Sequence, residues 1–284
     1  MSSKAFRGGI PRKKNTGTYI ALSLVSLFVL LPLIYMVSTS FKSIEEIMTA
    51  KRATLFPVVW SGQGYEDVMS RYPFLTYIKN SVIVVAASTA VAVLFSTLAG
   101  YGFSRFQFGG RGALLMFILV TQMFPSVMLY VPYYKMMSGM GLSNTRTGLI
   151  LVYIGSVIPF CTWMMYGFFN GISRELDEAA MIDGAGRLRT FARIVMPLTL
   201  PGLVSTTIYA FIQGWNEYMF AMVFTTSDSI RTLPVAIGQM SGSYSIYWND
   251  LMAASCITSL PLIVLFLFLQ KYFISNMTGG AVKG

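Results

Sequence analysis

The chain has 284 residues, 55% of them hydrophobic and only 11% charged, with a net charge of +10. Soluble domains carry roughly 25% charged residues, so this composition excludes an ordinary soluble globule and makes lipid the main solvent. Histidine is absent, which excludes His-dependent triads, His metal sites and imidazole relays, and the Lys and Arg residues sit between apolar blocks, as in loops that orient membrane helices, rather than in a nucleic-acid-binding patch.

In chain order, residues 1–17 form a basic N-terminal tail, with Lys4, Arg7, Arg12, Lys13 and Lys14. Six stretches are long and apolar enough to cross a bilayer core, which needs about 20 residues in a helix. They are Asn15–Phe41, Asn80–Ser104, Gly112–Tyr134, Thr147–Ser173, Ile194–Ser227 (interrupted only by Glu217) and Leu251–Gln270. Between Ile20 and Val37 lie twelve Leu, Ile, Val or Phe residues. Together they favour insertion by roughly 5 kcal/mol. That run is too long for a secretory signal peptide, and no small-residue cleavage site follows it. Thr232–Asn249 is also free of charge, but it holds Pro234, Gly238, Gln239 and Gly242. Such a stretch would leave backbone groups exposed to lipid, so it reads as a loop that can dip back into the protein. A seventh span there would move the C-terminus to the other side.

With six spans, thirteen of the 21 Lys and Arg residues fall on the side of the N-terminal tail, which makes both termini cytoplasmic by the positive-inside rule. The expected fold is an all-α integral membrane protein with about six transmembrane helices. Its transmembrane domain covers 18–273 and its C-terminal tail 274–284. Cys161 and Cys256 lie in apolar stretches without metal-ligand spacing, so buried inert thiols are expected.

The longest loop on the tail side, within 171–199, carries a distinct pattern. Ser173 is an N-cap candidate, and Glu175, Asp177 and Glu178 occupy the first turns of a short helix, where acids suit the positive end of the dipole. Gly184 supplies a C-terminal stop. A second short helix, Leu188–Val195, runs to Pro197, and Pro201 stands at the mouth of the fifth span. Ala179 and Ala180 put little bulk on one face, so another protein could approach closely. A solvated interfacial helix has the same composition.

The spacing of Glu178-Ala179-Ala180, Asp183-Gly184, then Ile194 and Pro197 resembles the cytoplasmic signature loop of importer permeases in the ATP-binding-cassette superfamily. Met196 stands where Leu is usual, a mild apolar exchange. Asn80-Ser81 opening a span that ends in Tyr101-Gly-Phe-Ser-Arg105, Trp215-Asn216-Glu217, and the C-terminal Gly279-Gly-Ala-Val-Lys-Gly284 resemble the carbohydrate, maltose-type (MalG-like) branch. The resemblance implies a coupling helix that docks on a cytoplasmic ATPase, with Glu178 meeting a basic residue, Ala179, Ala180 and Gly184 allowing close packing, Asp183 bracing the turn, and Ile194 and Pro197 fixing the second helix. It implies that the tail residues Gly279, Gly280, Val282 and Lys283 contact the ATPase. It also implies as partners a homologous second permease, two ATP-binding subunits and an extracytoplasmic solute-binding protein, in a bacterial inner membrane.

This chain has no G-x-x-x-x-G-K-[ST] phosphate loop, so no cofactor is expected in it, and ATP and Mg belong to the partner. It is not expected to be an enzyme. Gln213, Trp215, Asn216 and Glu217 place polar and aromatic groups in the fifth span, either lining a substrate path or bracing helices. Thr225–Asp250, with Tyr244, Tyr247 and Trp248, reads either as a contact for the binding protein or as an interfacial aromatic belt. Competing readings are a secondary transporter driven by an ion gradient, disfavoured because Glu217 is the lone acid within the spans; a membrane enzyme, which lacks acid–base actors; and an importer permease for a non-sugar solute.

Overall fold

The computed structural model describes residues 16–49, 54–242 and 246–280, with side chains described through residue 269. Among the described residues the regular structure is entirely helical. Helix α1 (Thr16–Ser40) is apolar on every side and leaves Tyr19 through Val37 almost wholly uncovered, as expected of a rod facing lipid or another subunit. Its contacts are chiefly with the last helix. Two short helices follow, α2 (Ile44–Thr49) and α3 (Gln63–Arg71). The 32-residue α4 (Phe74–Arg105) begins six residues before the expected span and measures about 48 Å at the usual helical rise.

The expected third span, Gly112–Tyr134, is broken. Helix α5 (Arg111–Thr121) stops, and α6 (Ser126–Gly139) leaves at 98° to it. The cause is local. Pro125 has no N–H to continue the ladder and restricts the residue before it, so α6 restarts behind it. Helix α7 (Arg146–Asn170) carries Thr145 as its N-cap, whose hydroxyl accepts from the Gly148 N–H.

Beyond α7 come α8 (Glu175–Ile182) and α9 (Arg187–Thr190). A π-helical turn at Phe191–Val195 joins α9 to α10 (Met196–Trp215) without a break. The second short helix expected at Leu188–Val195 is therefore the first part of a 29-residue rod, Arg187–Trp215. The fifth span ends at Trp215 rather than at Ser227. The chain turns there into α11 (Met219–Phe224) and later α12 (Leu233–Ser241). Helix α12 is too short to cross a bilayer and buries Leu233, Val235, Ala236 and Met240 against α4 and the final helix. That final helix, α13 (Trp248–Gly280), continues past Gln270 through residues set aside above as tail. Among the described residues, five helices are long and apolar enough to cross a membrane, with a sixth crossing if the bent pair is one.

Helices α4 and α7 form the most extensive pairing, and α10 packs on both. The buried stripe of α4 steps through Ser88, Ala92, Ser96, Gly100 and Ser104 at intervals of four. Small residues at that spacing let two backbones approach closely where lipid supplies no hydrophobic drive. At Gly100 a Cβ would lie 2.7 Å from the Met165 Cβ and 2.8 Å from the Tyr166 nitrogen. Gly102, two positions on, has nothing within 4 Å. Gly100→Val is expected to cost about 1–3 kcal/mol by overpacking and to lower the melting temperature of the purified protein in detergent. Gly102→Val is expected to melt like the parent. Equal melting of the two variants would remove this account of the interface.

Candidate functional site

Helix α8 stands between the ends of α7 and α9. Its first turn holds Glu175, Asp177 and Glu178, favourably placed against the helix dipole. The Ser173 hydroxyl accepts from the Glu175 N–H at 3.3 Å, although Arg174 occupies the N-cap position. The exit is a Schellman turn. The Gly184 N–H donates to the Met181 carbonyl at 3.1 Å and the Ala185 N–H to the Ala180 carbonyl at 2.9 Å. Gly184 has φ +82°, a left-handed conformation that costs an L side chain about 1–2 kcal/mol. The turn expected of Asp183 is made by its neighbour and the backbone. The Asp183 carboxylate is exposed and has no bonded partner among the described residues.

What holds α8 down is Asp177, which the sequence reading treats only as one of three acids. Its Oδ2 lies 2.8 Å from Arg105 Nε, with the two side chains 11% and 7% exposed. The pair is Coulombic, since these two atoms are not aligned as a hydrogen bond. Arg105 spends its other donors on carbonyls at the end of α7. Nη1 donates to the Phe169 carbonyl, which also accepts from the Ile172 N–H, at 3.1 Å, and Nη2 donates to the Ile172 carbonyl just past the helix end at 3.2 Å. Arg174 Nη2 donates to the Ser104 carbonyl at 2.7 Å, and Ser104 Oγ donates to Asn170 Oδ1 at 2.9 Å. The ends of α4, α7 and α8 are therefore tied at one point. A cavity of about 180 Å³ lies beneath, lined in part by Tyr101, Arg105, Asp177 and Glu178.

The outward side of this elbow differs. Glu178 and Ala179 are exposed and Ala180 is buried. Ile182 is 85% exposed and Leu188 78%, and Leu176 and Met181 are uncovered as well. Ile194 is half-buried in the π turn, and Pro197 sits exposed at the seam with α10. Only the backbone of Gly279 and Gly280 is described. Val282 and Lys283 lie outside the described residues, as does residue 244 of the outer segment.

The four candidates at the end of the fifth span separate into two kinds. Trp215 is buried, stacks on Phe211 with ring centroids 5.5 Å apart, and donates from Nε1 to the Thr258 carbonyl at 3.1 Å. The Glu217 carboxylate accepts from the Phe220 and Ala221 N–H groups at 2.8 and 3.0 Å, capping α11. Both brace the fold. Gln213 and Asn216 are exposed.

At the other end of α4, Asn80 is fully buried. Its Nδ2 donates to the Ser229 and Arg231 carbonyls at 3.0 and 2.9 Å, and its Oδ1 accepts from Arg146 Nε at 2.8 Å. The Ser81 hydroxyl accepts from the Leu233 N–H at 2.8 Å. The Asn80-Ser81 pair is thus the clamp that seats the segment leading into α12.

A bundle of long apolar helices with an exposed helical elbow at one end has the architecture of a multi-pass membrane protein. Residues 92–279 match the family described as binding-protein-dependent transport system inner membrane component, and the chain belongs to this family of ABC importer permeases. It is 37% identical over 268 residues to the trehalose/maltose transport system permease protein MalG of Thermococcus litoralis, covering 93% of this chain and 95% of that one. It is 34% identical over 270 residues to the inner membrane ABC transporter permease protein YcjP of Escherichia coli, covering 94% and 96%. Among solved structures, a chain of a bacterial ABC transporter that imports the acidic polysaccharide alginate superposes with a TM-score of 0.78 at 25% identity, over 91% of this chain and 95% of that one.

Breaking a buried ion pair costs roughly 3–5 kcal/mol, whereas replacing both partners with apolar groups is close to neutral. Asp177→Asn is therefore expected to loosen the elbow, read as faster proteolysis between residues 171 and 190. The double variant Arg105→Met with Asp177→Leu is expected to be cut more slowly than Asp177→Asn alone. If Asp177→Asn is as resistant as the parent, the pair is not the anchor.

Proposed function

We propose that the chain carries a sugar or oligosaccharide across the inner membrane as one of two permease subunits, driven by a separate pair of cytoplasmic ATPase subunits that bind ATP and Mg, and supplied by an extracytoplasmic binding protein. Both termini and α8 face the cytoplasm in this reading. The observation that carries it is the construction of the elbow. A short helix is held to the end of α4 by a desolvated ion pair, while its tip offers Ile182, Met181 and Leu188 uncovered. A helix that merely floated at an interface would need no such anchor, and an apolar tip outside the bundle suits a groove in another protein.

The geometry supports a mechanical route. ATP closes the ATPase pair, the docked α8 moves with it, Arg105 and Asp177 pass the displacement to α4, and the π turn passes it to α10. The spans then exchange inward-open and outward-open arrangements. Glu178, exposed at the rim, is placed to meet a basic residue of the ATPase. Ala179 permits close approach, and Gly184 sets the angle between the two legs. A sugar cargo is favoured by the relative named for trehalose and maltose. Exposed Gln213 and Asn216 remain candidates for the path.

Glu178→Ala and Gly184→Asp are expected to leave membrane insertion and span packing intact while abolishing uptake. The reading is checked by co-purifying the ATPase with each variant and measuring sugar uptake in whole cells. Normal transport by both variants, or failure of any nucleotide-hydrolysing protein to accompany the parent chain, would sink it.

A further inference from the structure

The break between α5 and α6 opens a cavity of about 440 Å³ against the middle of α7, within the range of about 300–1,000 Å³ usual for small-ligand sites. Irregular backbone at membrane depth persists only where it is buried in protein or lines an aqueous cavity. Here the polar groups are turned toward that cavity. Among the described residues, the Gln122 side-chain amide and the Ser126 hydroxyl, both exposed, have no hydrogen-bond partner. The Ser156 hydroxyl donates to the Tyr153 carbonyl at 2.8 Å and keeps its lone pairs. Pro159 lacks an N–H, so the Gly155 carbonyl one turn earlier loses its helical donor. Helix α6 starts with no side-chain cap; the Met128 N–H donates to the Pro125 carbonyl at 3.0 Å, and the N–H groups ahead of it have no intrahelical acceptor.

Aromatic faces border these groups. Tyr133 and Phe220 lie with ring centroids 5.7 Å apart, and Phe124 is on the rim. Gly155 lies on the wall opposite, where a Cβ would make only ordinary contact, 3.8 Å from the Tyr133 hydroxyl. None of the lining residues carries a charge. Neutral donors and acceptors beside ring faces suit the hydroxyls and C–H faces of an uncharged sugar, and they offer nothing to balance a carboxylate or sulfonate. Residues 155–159 fall halfway along the 25-residue α7, the depth at which broken helices place substrate sites in other transporters.

We infer that this chain contacts the substrate itself, at the α5–α6 break, and that Gln122 and Ser156, set in an uncharged lining, select neutral over acidic sugars. This rests on the sugar-importer reading. The test uses the whole importer with its binding protein in proteoliposomes and a panel of trehalose, maltose and an alginate oligosaccharide. Gln122→Ala and Ser156→Ala are expected to lower uptake of the neutral sugar by about tenfold, the worth of one hydrogen bond, while ATP hydrolysis stimulated by the loaded binding protein stays within about twofold. In a chain carrying Cys161→Ala and Cys256→Ser, Gln122→Cys is expected to react with a maleimide more slowly when the transported sugar is present. Unchanged uptake in the alanine variants, or maleimide reaction indifferent to sugar, overturns the inference. A parent complex that prefers the alginate oligosaccharide overturns it too, yet leaves the importer reading intact. A parent complex that transports none of the sugars removes the sugar-cargo reading on which the inference rests.

Discussion

Everything in this molecule is referred to the close contact between α4 and α7. Two helices in lipid gain nothing from leaving it, because the acyl chains are as apolar as their own side chains. They stay together only if their backbones approach closely enough for dense contact, and the stripe Ser88, Ala92, Ser96, Gly100 and Ser104 removes the side-chain bulk that would prevent it. Hydrogen bonding adds direction. Ser96 Oγ donates to the Ile158 carbonyl across the interface at 3.3 Å. Helix α10 then packs on the pair already formed.

That rigid pair ends in a polar clamp at each extremity. At one end Asn80 and Ser81 hold the 229–233 backbone and so seat α12. At the other, Arg105 satisfies carbonyls of α7 and the carboxylate of α8 together. Both ends of the 32-residue α4 are thus fixed to neighbouring elements. The π turn at Phe191–Val195 is an irregularity in the rod that leaves the elbow, and such turns recur at functional positions.

The elements readable in the sequence were those decided by composition along one stretch. The apolar run of α1 is visible because its partner is solvent, whether lipid or another subunit. The Gly184 stop is visible because a left-handed residue favours glycine wherever it occurs. The bend between α5 and α6 was not visible, because residues 112–134 stay apolar across it, and Pro125 alone does not distinguish a kink from a restart. The role of Asp177 was hidden for a different reason. Beside Glu175 and Glu178 it is one acid among three, and only the arrival of Arg105 from a helix 72 positions upstream makes it the buried one. A basic residue closing the α4 span was the available clue. Trp215 and Glu217 suited both a substrate path and bracing in the sequence, since both uses ask for the same polar and aromatic groups.

The sequence by itself determined that this chain lives in lipid, that it is helical, and that a short helix with a glycine stop interrupts its spans. Those properties follow from hydropathy, from the need to satisfy backbone hydrogen bonds inside each segment, and from local turn chemistry, none of which requires a distant partner. Tertiary structure alone decided which acid is buried, where the third span breaks, and which polar groups of the fifth span turn inward. Each of those depends on groups far apart in the chain meeting in a low-dielectric interior, where one approaching guanidinium or one missing Cβ changes which arrangement is stable.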